Sequence, residues 1–169
     1  MNLGNRRLRM DELRRHFEAL GLSDVATFIA SGNVVFRLPD PAPEGLEARI
    51  EHHLAGALGY EVATFVRSLS RLGELADLDE LEEARSDGFN PHVIFLRGGA
   101  DSSLHAALAS LETPEDRFLV LGREIVWLRR GRLSDSTVPQ RDLGTALAGM
   151  PTTMRNLNTI ERMVRKFVV

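Results

Sequence analysis

The stretch Asp24-Val25-Ala26-Thr27-Phe28-Ile29-Ala30-Ser31-Gly32-Asn33-Val34-Val35-Phe36-Arg37-Leu38 decides how the rest of the chain is read. Two apolar runs, 25–30 and 34–36, flank the small polar triplet Ser31-Gly32-Asn33. That pattern predicts two strands joined by a tight turn. Gly32 and Asn33 are the residue types that supply the positive φ such a turn needs.

Before this hairpin, Met10, Leu13, Phe17 and Leu20 recur at helical spacing, with Asp11 and Glu12 in the first turn and Gly21 after the last apolar residue. These are the marks of a helix with a carboxylate-rich start and a glycine stop. Met1 to Leu8 reads as a loop. After the hairpin, Pro39-Asp40-Pro41-Ala42-Pro43 ends strand structure, because proline cannot donate to a ladder. Leu46, Ile50, Leu54 and Leu58 predict a second helix ending at Gly59, and Tyr60 to Arg67 reads as a strand. The first half therefore runs helix, strand, strand, helix, strand. That is a ferredoxin-like βαββαβ unit without its first strand. In that topology the missing strand lies mid-sheet, so its two neighbours would carry unpaired backbone groups, which are costly when buried. Either another segment fills the gap or the true start lies upstream of Met1.

Ser68 to Arg85 reads as one acidic helix with Leu69, Leu72, Leu75 and Leu78 as its apolar stripe. The turn cluster Ser86-Asp87-Gly88-Phe89-Asn90-Pro91 is the best internal boundary. The elements then recur: a strand at 92–96, a helix over 101–111 and a hairpin, 117–121 and 124–128, around Gly122-Arg123. A helix over 139–148 follows, with Pro139 in its first turn. Met150 to Asn158 reads as polar and turn-like. Ile160, Met163, Val164 and Phe167 give a terminal helix capped by Asn158 or Thr159. The fold expected is α+β, two ferredoxin-like halves in tandem over 1–88 and 89–169, with a repeat of element order rather than of residues.

Composition excludes several classes. The 169 residues are 43% apolar and 27% charged, ordinary for a globular protein. No apolar run approaches the roughly 18 residues of a membrane helix, and the N-terminal residues lack the apolar core of a secretory signal. Absence of cysteine removes disulfides, thiol nucleophiles and cysteine-based zinc sites. A cytoplasmic protein with no membrane partner is expected. The net charge is only −3, but the positive charge is clustered and almost wholly arginine, Lys166 being the single lysine. Glu74 to Asp87 is strongly acidic, the pattern of a solvated helix face.

Several segments together resemble DUF1697, a bacterial family of uncharacterised proteins. They are Met1-Asn2-Leu3-Gly4 with Arg9-Met10-Asp11-Glu12-Leu13; 27–36, containing Ser-Gly-Asn-Val-Val-Phe; Val66-Arg67-Ser68; and 153–159, Thr-Met-Arg-Asn-Leu-Asn-Thr. The resemblance implies an apolar strand ending in Arg-Gly just before Met1, the strand the topology lacks. It also implies a tryptophan where Leu157 stands. It carries a fold expectation and no reaction.

The chemistry has to come from the residues. Ser31, Gly32 and Asn33 could offer a hydroxyl, open amides and an amide side chain to an anion; they also suffice as a turn. Asn5, Arg6, Arg7 and Arg9 precede a helix, whose free N-terminal amides attract phosphate while arginine adds bidentate donors. Arg129-Arg130-Gly131-Arg132 with Ser134 forms a second arginine loop, and Arg155 with Asn156 a third candidate. Each has a plain alternative, respectively a solvated terminus, a solvated connection and a helix cap. No nucleophile elbow, Walker loop or dinucleotide fingerprint is present. His52 and His53 have no ligating residue three or four positions away on their helix, so no metal or cofactor is indicated. The function expected is a binding module for a phosphate-bearing ligand, a phosphorylated small molecule or a nucleic acid. An enzyme acting on an anionic small molecule and an assembly protein without ligand are the alternatives.

Overall fold

The computed structural model describes residues 2–3, 6–38, 43–131, 138, 140–147 and 149–168, and of 2–3, 6–7 and 140–141 the backbone alone. Among them, seven helices and eight strands form a mixed α/β fold with three antiparallel sheets. The chain divides into two compact units, Met1–Val66 and Arg67–Val169.

In the first unit β1 (Asn2–Leu3) and β2 (Arg6–Arg7) pair as a short ladder where a loop was expected. Helix α1 (Met10–Ala19) buries Leu13 and Phe17. The hairpin follows as β3 (Ser23–Phe28) and β4 (Asn33–Arg37), with Phe28 opposite Asn33. Its turn is therefore 29–32, and Asn33 already belongs to the second strand. Ile29 takes φ 50° and Gly32 φ 79°, so glycine meets a real backbone demand at position 32. Helix α2 (Leu46–Leu58) buries Leu46, Ile50 and Leu54 and stops at Gly59 with φ 74°. Leu8, Leu13, Phe17, Val25, Leu46, Ile50 and Leu54 form the core.

The expected strand at 60–67 does not form: these residues join no ladder. Their apolar alternation is real, since Val62 and Val66 pack on the core, but two of their amides bond to side chains. Thr64 N–H donates to Glu51 Oε1 and Val66 N–H to Glu47 Oε1, both at 2.7 Å. Glu47 and Glu51 are four apart on α2 and share one face, and so reach alternate amides of the segment. Among the described residues β4 forms a ladder with β3 alone.

The second unit opens with α3 (Leu69–Ala76), whose N-cap Ser68 accepts from Arg71 N–H at 3.0 Å, and α4 (Asp79–Ser86). The single acidic helix expected is thus two, broken at Asp77 and Leu78. There follow β5 (Phe89–Leu96), α5 (Ser102–Ala109), β6 (Asp116–Val120), β7 (Glu124–Arg130), α6 (Gln140–Ala146), β8 (Thr152–Asn156) and α7 (Leu157–Phe167). β8 is the strand missed in the polar segment 150–158. The helix behind it is capped by Asn156, two residues earlier than expected. The four strands run in the order β6-β7-β5-β8. One face carries Ile94, Leu96, Phe118, Ile125 and Trp127 with Leu104 and Leu108 of α5 and Leu147 behind α6. Strand alternation sends Val93 and Phe95 to the other face, where α4 and α7 meet β5 and α3 lies along α7. With both faces covered, β5 is buried at every position but Asn90. Because α3 and α4 pack here, the compact units meet in sequence after Val66.

Glu124, 3% exposed in its side chain, holds this packing together. Arg67 and Arg71 both bond to its carboxylate, Arg71 through Nε at 3.0 Å and Nη2 at 2.9 Å. Arg67 Nη2 also donates to the carbonyls of Leu96 (2.9 Å) and Arg123 (3.1 Å), and Arg71 Nη2 to that of Leu121 (3.0 Å). The start of α3 is thereby fastened to the β6–β7 turn and the end of β5. Removing one member of such a buried group leaves charge uncompensated. Glu124→Ala is expected to destabilise the chain by about 3–5 kcal/mol in urea unfolding; a loss below about 1 kcal/mol would contradict this.

Candidate functional site

The register of the four-stranded sheet puts a polar patch at one end of an otherwise apolar face. Asp116 lies opposite Arg129, and Arg129 opposite Asn90. One step along, Phe118, Trp127, His92 and Asn156 form the adjoining row. Ile94, Ile125 and Met154 then continue the face into the core.

Trp127, Asp116, His92 and Asn156 are held here by named hydrogen bonds. Trp127 Nε1–H donates to Asp116 Oδ1 at 2.8 Å, and both residues are buried. The Arg129 guanidinium, fully buried, lies 5.5 Å from the Trp127 ring centre, within cation–π range. His92, 9% exposed, has Nδ1 at 3.0 Å from the Asn90 carbonyl. A carbonyl only accepts, so Nδ1 carries the hydrogen and Nε2 of the neutral ring keeps its lone pair. Asn156 has its amide orientation decided by its cap: Oδ1 accepts from Asn158 N–H at 2.9 Å. Its Nδ2 is thereby turned to Asn90 Oδ1 at 2.9 Å and towards His92 Nε2 at 3.5 Å. Burial, and secondarily the Arg129 charge, push the His92 imidazole below its ordinary pKa, against the opposing bond to Asn90. The ring is neutral at pH 7.

The residues expected to form a site divide between the two units. Arg155 neighbours Asn156 on β8, so it points to the opposite face, paired in register with Val93. There Nη1 donates to Thr153 Oγ1 and to the Met154 carbonyl, both at 2.8 Å, and burial lowers the pKa of the guanidinium. Ser31 and Asn33 close on each other: Asn33 Nδ2 donates to Ser31 Oγ at 2.9 Å and to the Phe28 carbonyl at 3.3 Å. With Gly32 at φ 79°, the triplet is accounted for as a turn. Arg9 makes an exposed two-point pair with Asp11, at 3.1 Å for each contact. Arg6 and Arg7 are known only as backbone of β2. Asn5, Arg132 and Ser134 lie outside the described residues. Arg129 and Arg130, expected in a loop, belong to β7.

Asn90, His92 and Asp116 were not singled out from the sequence. One signal was available. Asn90 and His92 are two apart, so they share a face once the strand is known to begin at Phe89.

The sequence profile described as "Protein of unknown function (DUF1697)" matches residues 1–126. The chain belongs to this family. A search of curated proteins returns no match. Among solved structures, the chain is similar to a conserved bacterial protein from Streptococcus pneumoniae, with TM-score 0.75 and 24% identity, covering 100% of this chain and 94% of that one. At that identity the likeness is one of fold. Asn156 lies beyond the matched residues, as do Arg129 and Trp127.

The depressed His92 pKa has a signed consequence. Between the folded value and the ordinary value near 6.5, the unfolded chain binds the extra proton, so stability rises with pH. His92's contribution is complete above about pH 6.5 and is lost as pH falls below it. His92→Gln should flatten the fall in unfolding free energy between about pH 6.5 and 5, measured by urea titration at each pH. An unchanged slope would contradict the assignment.

Proposed function

We propose that the second unit binds an anionic, phosphate-bearing ligand, a nucleotide or a nucleic acid segment, where β8 runs into α7. One observation carries this reading: Asn156 caps α7 with its oxygen, and its amide N–H₂, bonded to Asn90 Oδ1 and turned towards His92 Nε2, holds the exposed Asn90 at the start of the helix with that residue's own N–H₂ left to meet a ligand. The first amides of α7 and the positive end of its dipole lie at the same place. Arg129, opposite Asn90 in register, adds a fixed positive charge, and Asn90 and Asn156 leave part of the patch open to solvent. Neutral amide donors near a buried cation suit an anion better than a cation. The element order β5-α5-β6-β7-α6-β8, with strand order β6-β7-β5-β8, supports reading this unit as ferredoxin-like. The first unit is then a related half without its first strand. That fold hosts many functions and decides nothing about the ligand.

A second reading, an enzyme acting on an anionic small molecule, is favoured by the His92 Nε2 lone pair, which could serve as a general base.

Asn156→Asp separates the capping role from the binding role. Aspartate is as good an N-cap as asparagine, but it removes the amide that holds Asn90 and adds negative charge. Calorimetric titration at low salt with inorganic phosphate and with nucleoside monophosphates should give saturable binding to the native chain. Asn156→Asp should weaken it by at least about tenfold, with the unfolding midpoint little changed. Absence of binding by the native chain, or equal binding by the variant, would sink the proposal.

A further inference from the structure

Helices α1 and α2 of the first unit bring two histidines together. His16 Nδ1 lies 3.2 Å from His53 Nε2, and the rings meet edge to face with centroids 5.3 Å apart. Both side chains are half-buried, and each adjoins a core residue, Phe17 and Leu54 respectively, which fixes its position on its helix. Spacing along either helix alone gives no metal site; the second ligand comes from the other helix, 37 residues away.

The separation matches a coordination sphere. Two imidazole nitrogens bound at about 2.0–2.1 Å to one tetrahedral ion lie about 3.3–3.4 Å apart. The two facing nitrogens need only give up the hydrogen they share, which moves to the far nitrogen of its own ring. No group of three or more His, Cys, Asp or Glu is placed to hold a metal among the described residues, so water would fill the other positions. Such a site exchanges its ion and cross-links two helices; it is not a closed structural zinc centre. Imidazole pairs favour zinc, nickel and copper over magnesium or calcium, which prefer oxygen.

We propose that His16 Nδ1 and His53 Nε2 form a two-histidine site for a late first-row divalent ion, bridging α1 and α2. The site is independent of the anion patch, which belongs to the other unit.

The test is calorimetric titration of the full chain at neutral pH with zinc chloride and nickel chloride, with magnesium chloride as control. The native chain should bind one zinc or nickel ion and no magnesium. His16→Gln and His53→Gln, both changes at half-buried positions that keep helix propensity, should each weaken binding by at least about tenfold. His52→Gln, at the adjacent position on α2, should leave it unchanged. No binding by the native chain, full affinity in the His16 and His53 variants, or an equal loss in the His52 variant would overturn the proposal.

Discussion

One buried carboxylate holds two guanidiniums in the second unit, and the seating of α3 on the sheet follows from that. Glu124 begins β7, on the face opposite Trp127 and Arg129, where α3 arrives. The buried Arg67 and Glu124 would be costly to bury separately, and Arg71, a third exposed, bonds to the same carboxylate from the rim. Together, with three backbone carbonyls taking further N–H groups and Arg71 Nη1 donating to Glu74, the cost is offset. The constraint also explains why α3 and α4 belong with the sheet and not with the unit before them. Arg67 is the first residue of the second unit and is committed to Glu124 and two carbonyls. Val66, one residue earlier, is committed to Glu47. The chain changes unit between two firmly held residues, without an intervening linker.

At the other end of the sheet the apolar face gives way to Asp116, Arg129, His92 and Asn156, and here the fold does two things with one residue. Asn156 ends the edge strand and starts α7 with no loop between them. The cap fixes the amide, and the fixed amide orders Asn90 and His92. Arg155, next to it, is drawn to the opposite face by strand alternation. The pair therefore splits: one member serves the patch, and the other is desolvated among the helices.

Much of the fold was legible in the residues because it is local. The apolar spacing of α1 and α2, the hairpins around 29–32 and Gly122, and the helix carrying Leu104 and Leu108 all emerge at or near the positions the patterns predict. What was illegible is long-range. Thr152 to Asn156 is polar, and it is a strand because β5 pairs with it across about sixty residues. Residues 60–67 carry a strand's alternation, yet among the described residues no strand pairs with them, and carboxylates of α2 hold two of their amides. Glu124 looked like an ordinary residue after a glycine turn, since its partners stand 53 and 57 positions away. The candidate patch was invisible for the same reason. Of its residues Asn156 and Arg129 were singled out, but in separate candidate sites; they and their neighbours assemble through register, which a single sequence does not display.

The central functional claim is that this patch receives an anion beside His92. The most direct measurement is a proton NMR titration of the histidine ring resonances of the full chain, assigned with His92→Gln, in the presence and absence of saturating inorganic phosphate. An anion beside the imidazole stabilises its protonated form. The account predicts that phosphate moves His92 from its depressed pKa towards the ordinary range while the other histidines hold theirs. A His92 titration unmoved by phosphate would contradict it.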